Sequence, residues 1–283
     1  MPFGALYAVS DFIYIIMYKL VAYRREVVSQ NLKLAFPDKS DEVRKLIEKK
    51  FYKHFADLFV EMIKAFNMSN KQIQKHFVFN NVEVLNDILA KNQNVIVVGG
   101  HYANWEWVFS LAMLTDAPPV ATYLKINNPY FEKMMLKNRG RFGGKLIETK
   151  KLRKTLEKFK QNNEQYVLGL LADQSPQLHR TKYWRTFLGH GVPVFVGPEE
   201  LAKKYNNAYV FIDISKVKRG YYEVDFELIT SNPNDFDDYQ LTDILIDKIE
   251  KQIRKQPEYY LWTHRRFKHK DKKAKIAHRL LKQ

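Results

Sequence analysis

Apolar residues recur along this chain with two different periods, and the change between them falls near residue 95. Before it, apolar positions repeat at helical spacing, which predicts helices over 26–35, 41–66, 70–77 and 82–91. Lys and Glu separate the apolar positions of the longest segment, as expected for a helix with one buried face. The first part of the chain is therefore predicted to be helical.

Beyond that point, short β-branched runs alternate with helical segments. The predicted strands are 95–98, 119–124, 144–148, 166–171 and 208–214, and the predicted helices are 104–114, 129–141, 151–161, 197–206 and 238–255. This alternation predicts an α/β fold with a mixed, mostly parallel sheet flanked by helices. Residues 221–229 alternate between apolar and polar positions, which predicts an antiparallel edge strand.

The most hydrophobic stretch covers residues 3–23 and is about long enough to span a bilayer. No small-residue cleavage site follows it, which argues against a cleaved signal peptide. Two arginines come directly after it, as expected for the cytoplasmic side of a membrane anchor. We expect a helix that spans or lies on the membrane; the alternative is a core helix of a soluble domain.

These patterns divide the chain into three parts. Residues 1–25 form the predicted membrane-anchoring helix, and residues 269–283 form a basic C-terminal tail. The main domain covers residues 26–268, with a helical part to about residue 92 and an α/β core from about residue 95. The N-terminal helical region is thus expected to associate with a membrane and to pack on one α/β domain.

The chain is strongly basic, with 47 Lys and Arg against 31 Asp and Glu and a net charge of +16. This predicts an acidic partner, whether nucleic acid, an anionic membrane surface, an acidic protein or a phosphorylated lipid. The absence of cysteine excludes disulfides, thiolate metal sites and a cysteine nucleophile. The eight histidines lack metal-binding spacing, so no metal site is predicted.

The strongest chemical signal is a strand that ends in two glycines, with His101 next and Glu106 five residues later. Histidine is well suited to accept a proton near neutral pH, and a carboxylate can fix its tautomer. Residues five apart on a helix point roughly 140° apart. The pair therefore requires His101 in the turn, with Asn104 capping a helix that begins after it. The alternative is a structural histidine beside a solvated glutamate.

Polar residues also follow two later predicted strands, where ligands bind in α/β sheets. Lys125 is a candidate for binding phosphate or carboxylate, and the alternative is a solvated loop lysine. Asp173 and Gln174 follow the run at 166–171. A carboxylate there would orient His101, bind a substrate or cap the loop.

Five segments, taken in order, resemble the late acyltransferases of lipid A biosynthesis. They are 23–32 with 35–37, 100–106, 123–129 with 139–143, 172–174, and 261–266. The third segment departs from the family by carrying Lys125 where arginine is frequent. Lysine cannot make the planar bidentate contact of arginine, which points to a different acceptor head group.

The resemblance implies an enzyme on the cytoplasmic face of the bacterial inner membrane. It would move a fatty acyl group from a thioester of acyl carrier protein or CoA to a hydroxyl of a lipid A precursor, related glycolipid or lysolipid. His101 would be the general base and Glu106 its partner. The implied substrate-binding residues are Asn104, Lys125, Asn128, Arg139, Arg141, Asp173 and Gln174. No bound cofactor or metal is implied.

The expected partners are acidic acyl carrier protein, a lipid acceptor and an anionic membrane surface, without nucleic acid. The basic charge fits a steered encounter with an acidic carrier. One alternative is an acyltransferase for aminoacyl lipids or lysophospholipids. Another is a non-catalytic basic protein that binds membranes or nucleic acid through residues 259–283, where aromatic residues alternate with cations.

Overall fold

The first 90 residues are mainly helical in the computed structural model, which describes residues 1–125, 128–270 and 272. The helices are α1 (Phe3–Ile15), α2 (Arg25–Ala35), α3 (Asp41–Ala65), α4 (Asn70–His76) and α5 (Glu83–Ala90). A π-helical turn, Ile16–Leu20, continues α1. The hydroxyl of Ser40 caps α3, in the polar break that the sequence pattern places before this helix.

The rest of the described chain builds a sheet with helices around it. The strands are β1 (Phe77–Phe79), β2 (Val95–Gly99), β3 (Pro119–Tyr123), β4 (Lys145–Glu148), β5 (Val167–Leu171), β6 (Tyr183–Phe187), β7 (His190–Val194), β8 (Ala208–Lys218) and β9 (Tyr221–Thr230). The helices are α6 (Pro129–Gly140), α7 (Leu152–Gln161), α8 (Gly197–Tyr205) and α9 (Gln240–Lys255), with a 3₁₀ helix at Trp105–Met113.

Seven of these strands form one sheet in the order β1-β9-β8-β2-β5-β3-β4. Strand β2 pairs in parallel with both β5 and β8, and all five of its residues are buried. Such a strand must be apolar on both faces because helices cover both sides of a parallel sheet. Only β8 and β9 pair antiparallel within this sheet. The predicted mixed, mostly parallel α/β fold is confirmed.

The helix expected at 104–114 is present, but as the 3₁₀ helix rather than as an α-helix. Its side chains are held from two directions. The indole of Trp107 donates to the backbone oxygen of Glu61 on α3 at 3.2 Å. The hydroxyl of Ser110 donates to the Trp107 carbonyl three residues earlier at 2.7 Å. Both contacts are made by residues of this 3₁₀ helix, which is wound more tightly than an α-helix.

The antiparallel strand expected at 221–229 is present as β9, but it is not an edge strand. Strand β1 pairs in parallel beside it, with Phe77 opposite Tyr222. Because β1 has only three residues, it is too short to show an alternating pattern. The edges of the sheet are therefore β1 and β4.

Strands β6 and β7 form a separate hairpin that the sequence pattern does not predict. Its two turn residues, Leu188 and Gly189, both have positive φ angles, of 48° and 84°. This backbone suits a tight hairpin turn, but leucine is not a residue that signals one. Pro193 lies within β7.

The helical part and the sheet share one hydrophobic core. After α9, residues 256–268 return across the carboxyl end of β2 and place buried Trp262 in that core. The predicted basic tail at 269–283 lies outside the described residues, apart from 269, 270 and 272.

Candidate active site

The turn that carries His101 follows β2 directly. A side chain at Gly99, the last residue of β2, would come within 2.7 Å of Ile212, so the close approach of β8 requires glycine. Ala103 has a positive φ of 49°, an uncommon conformation for a residue with a side chain. Its N–H donates to the Tyr259 carbonyl at 3.0 Å, and His54 contacts its carbonyl oxygen at 3.3 Å. The turn is thus held from both sides.

His101 bonds to the buried carboxylate of Asp173. The distance between His101 Nδ1 and Asp173 Oδ1 is 2.7 Å, and the Asp173 side chain is only 1% exposed. An ionised carboxylate only accepts hydrogen bonds, so the proton lies on Nδ1 and Nε2 keeps a lone pair. Burial lowers the pKa of His101, but the charge and hydrogen bond of Asp173 outweigh it and raise the pKa above 6.5. Asp173 thus occupies the orienting position that was one of its expected roles.

Glu106 forms a bidentate pair with Arg139. The two hydrogen bonds measure 2.6 and 3.1 Å, and both side chains are mostly shielded from solvent. Among the hydrogen bonds of the described residues, Glu106 bonds to Arg139 and not to His101. The expected pairing of His101 with Glu106 is therefore not a direct hydrogen bond here. The charge of Glu106 still contributes to the raised pKa of His101.

A family model for bacterial lipid A biosynthesis acyltransferases matches residues 1–269. The chain belongs to this family. It is 26% identical over 247 residues to the lipid A biosynthesis palmitoleoyltransferase of Escherichia coli K12, with 87% of this chain and 79% of that protein covered. It is 22% identical over 271 residues to the lipid A biosynthesis lauroyltransferase of the same organism, with 95% and 87% covered. It is also similar to a lipid A biosynthesis acyltransferase of Haemophilus influenzae, with 24% identity over 253 residues and 87% and 78% covered.

The chain is therefore an acyltransferase, and the resemblance inferred from five short segments is confirmed. The non-catalytic alternative gains no support from these comparisons. Each relative is named for lipid A biosynthesis, and the match extends over most of both proteins.

In this acyltransferase, residues from the C-terminal segment support the loop after Asp173. The Ser175 N–H donates to His264 Nε2 at 3.0 Å, and the Ser175 hydroxyl donates to the Arg266 carbonyl at 2.8 Å. Burial lowers the pKa of His264 to about 4, so it is a neutral acceptor at pH 7. The fully buried guanidinium of Arg266 donates to the Pro193 carbonyl at 3.0 Å. The sequence analysis did not expect this supporting role for His264 and Arg266, which it placed in the matching segment 261–266 and in the basic stretch 259–283.

Asn104 confirms the predicted helix cap, because its Oδ1 accepts the Trp107 N–H at 3.2 Å. Its amide donates to Glu61 at 2.7 Å, and the residue is buried. Arg141 donates to the carbonyl oxygens of Ala65 and Met68 at the end of α3. Both side chains bond to the framework here, and their expected substrate roles stay predictions.

The other expected substrate residues lie nearer to open surface. The side chain of Gln174 is 3.5 Å from His101, measured between the two Nε2 atoms. Lys125 and Asn128 are exposed, and Asn128 accepts the Tyr130 N–H at 3.0 Å at the start of α6. The structure thus brings Gln174 to the His101–Asp173 pair, and the substrate roles of Lys125 and Asn128 stay predictions. Among residues 1–125, 128–270 and 272, no group of three acidic or histidine side chains converges as metal ligands would.

Proposed function

We propose that this acyltransferase moves a fatty acyl group from a thioester to a hydroxyl of a lipid A precursor or a related glycolipid. One observation carries the proposal: the 2.7 Å hydrogen bond between His101 and buried Asp173 at the carboxyl end of β2. It leaves Nε2 of His101 as a proton acceptor on a side chain that is 22% exposed. The names of the relatives support the acceptor class.

In the proposed reaction, His101 is the general base. Its Nε2 takes the proton of the acceptor hydroxyl while the oxygen attacks the thioester carbonyl carbon. The tetrahedral intermediate then collapses, the carbon–sulfur bond breaks, and the imidazolium returns its proton to the departing thiolate. Asp173 keeps Nδ1 protonated and stabilises the imidazolium that forms between these steps.

Glu106 assists His101 without bonding to it. Its negative charge favours the imidazolium, and its bidentate pair fixes the position of Arg139. A guanidinium carries five N–H donors, so an arginine held in this way retains donors for an anion. We propose that Arg139 stabilises the developing oxyanion or binds a phosphate of the acceptor. Lys125, Asn128 and Gln174 are proposed to line the acceptor site.

The donor is proposed to be acyl carrier protein or CoA, and the enzyme to work at a membrane surface. A net charge of +16 favours both an acidic carrier and anionic lipid. Helix α6 packs on the second half of α3, where Asn138 donates to the Met62 carbonyl at 3.2 Å. Large apolar side chains are exposed on α1, on this half of α3 and on α6. They are Val9, Phe12, Ile15, Phe59, Ile63, Tyr130 and Met134. We further propose that the enzyme works at the cytoplasmic face of the inner membrane.

The test is acyl transfer by purified protein in detergent. Radiolabelled acyl carrier protein thioester and acyl-CoA are each offered with a lipid A precursor, a lysophospholipid and an aminoacyl lipid. Transfer to the lipid A precursor that disappears in His101→Ala supports the proposal. His190→Ala is a matched control, because His190 contacts the Leu34 carbonyl on a different element. Transfer only to another lipid would replace the acceptor, and full transfer by His101→Ala would remove the base.

A further inference from the structure

Tyr7 and Ser10, two polar residues of the apolar N-terminal helix, face the protein. The Tyr7 hydroxyl donates to Glu61 at 2.9 Å, and the Ser10 hydroxyl donates to Asp57 at 2.7 Å. Ser10 is fully buried. Both acceptors lie on α3, so one side of α1 is bound to that helix through hydrogen bonds to carboxylates.

The turn between β8 and β9 holds the same side of α1. Arg219 pairs with Asp11 at 2.6 Å and with Asp57 at 2.7 Å, which links the two helices through one guanidinium. The next residue, Gly220, has a φ of +76°, and a side chain there would collide with the Tyr7 hydroxyl. The helix is therefore seated closely on this turn.

Glu61, one of the α3 carboxylates that bind α1, also binds the catalytic turn, and Asp57 is linked to that turn through Lys216 and His54. Glu61 accepts a hydrogen bond from Asn104 at 2.7 Å. Asp57 pairs with Lys216, which donates to His54 at 3.1 Å. Removing α1 would leave these buried carboxyl groups with fewer hydrogen-bond partners, which is destabilising. The helix is thus part of the folded enzyme.

The second half of the helix lies beside cations of the main domain. Lys53 lies 5.7 Å from the ring centre of Tyr14, and Arg25 lies 4.4 Å from that of Tyr18. A bilayer core around this helix would also surround these charged neighbours, which is unfavourable in hydrocarbon. The opposite side is apolar and solvent-exposed. Its exposed residues are Val9, Phe12, Ile15, Leu20 and Val21.

From this one-sided arrangement, we infer that α1 and its π-helical turn form an interfacial helix that does not cross the bilayer. The stretch Phe3–Leu20 is long and apolar enough to cross, at about 27 Å for its 18 residues. Its polar face stays on α3, and its apolar face enters the boundary between head groups and acyl chains. The protein is basic, and Lys19 and Arg24 lie at and just beyond the end of this segment, so the lipid surface that it fits is anionic. The inference rests on the membrane association in the proposed function.

Because the chain has no cysteine, single cysteines report topology directly. Gly4→Cys lies in the first turn of the apolar helix and Ser29→Cys lies beyond its other end, on α2. Both positions are exposed, and a cysteine side chain at Gly4 begins in open space. Asn232→Cys marks the main domain. Each variant is labelled with a membrane-impermeant maleimide in inside-out and in right-side-out vesicles, with detergent-opened vesicles giving the total. An interfacial helix gives labelling of all three from the same side. Labelling of Gly4→Cys only from the side opposite to Ser29→Cys overturns the inference.

A pair of substitutions separates the two faces of the helix. Phe12→Ser should reduce sedimentation with phosphatidylethanolamine–phosphatidylglycerol vesicles and leave Tm unchanged. Ser10→Leu should lower Tm while vesicle binding persists. An unchanged or raised Tm for Ser10→Leu overturns the docked face, and unmodified protein that stays soluble with vesicles overturns the lipid contact. None of these readouts needs turnover, so a failed transfer assay with same-side labelling would count against the proposed reaction alone.

Discussion

Two pairs of an acidic and a basic side chain lie beside the turn after β2, and they differ in their suitability for proton transfer. Asp173 is almost completely buried, and its charge and hydrogen bond raise the pKa of its partner His101 above the ordinary value. Glu106 and Arg139 are each partly exposed and form a bidentate pair of opposite charges. The first pair is suited to proton transfer, whereas the second is suited to holding a fixed positive charge.

The largest test of this contrast is His101→Ala. Loss of the base should lower kcat about 10³-fold or more, and Tm should fall as well because the buried Asp173 carboxylate loses its partner. Steady-state transfer and a thermal melt measure the two effects. A kcat within about tenfold of the unmodified enzyme would contradict the assignment of the base.

Asp173→Asn should lower kcat on the order of 10²–10³-fold. Asparagine is nearly the same size, but it can donate to Nδ1 and thereby favour the wrong tautomer. The structural control is Asn207→Asp on another loop, or simply the Tm of the variant. Retained kcat would mean that Glu106, and not Asp173, supports the base.

The pH profile distinguishes the pairs further. His101 must be neutral to accept a proton, and its pKa is raised, so kcat/KM should rise with pH through a midpoint above 6.5. Of the two carboxylates, Asp173 has the larger effect on the pKa of His101. Asp173→Asn removes its negative charge and should move this midpoint to lower pH. Glu106→Gln should move it in the same direction by less. A larger shift for Glu106→Gln would reverse the roles of the two carboxylates.

Arg139→Lys tests the second pair alone. Lysine keeps the charge but loses the bidentate geometry, so we expect about a tenfold loss in kcat/KM with an unchanged pH midpoint. Arg185→Lys is a matched control, because Arg185 lies on β6 and also pairs with carboxylates, those of Asp243 and Asp247. A shifted pH midpoint in Arg139→Lys would show that Arg139 acts through His101.

The smallest expected effect is that of Ser175→Ala. It removes the buried hydrogen bond to the Arg266 carbonyl and the 3.3 Å bond that the hydroxyl accepts from the Arg266 guanidinium, which together should cost about 2 kcal/mol of stability. Because the backbone bond to His264 remains, kcat should fall by less than about tenfold. Chemical denaturation and steady-state transfer measure both. A loss as large as that of Asp173→Asn would indicate that this hydroxyl, rather than the backbone, positions the Asp173 loop.

Local patterns were sufficient for much of this protein. The alternation of short apolar runs with helices identified the α/β class, because each run carries its own periodicity. The two glycines before His101 and the cap at Asn104 also identified the catalytic turn, since caps and turns depend on residues adjacent in sequence. Strand β1 and the β6–β7 hairpin were missed because three residues show no period and Leu188 does not signal a turn.

Tertiary structure alone decided which groups meet. His101 and Asp173 are 72 residues apart, and they come together because β2 and β5 are parallel neighbours with Gly99 opposite Leu171. The same applies to Glu106, whose partner Arg139 lies on a different helix. Sequence likewise marked residues 3–23 as apolar, whereas only the fold showed Tyr7, Ser10 and Asp11 bonded to buried carboxylates and Arg219. Periodicity is a property of neighbouring residues, but pairing depends on register and packing between distant ones.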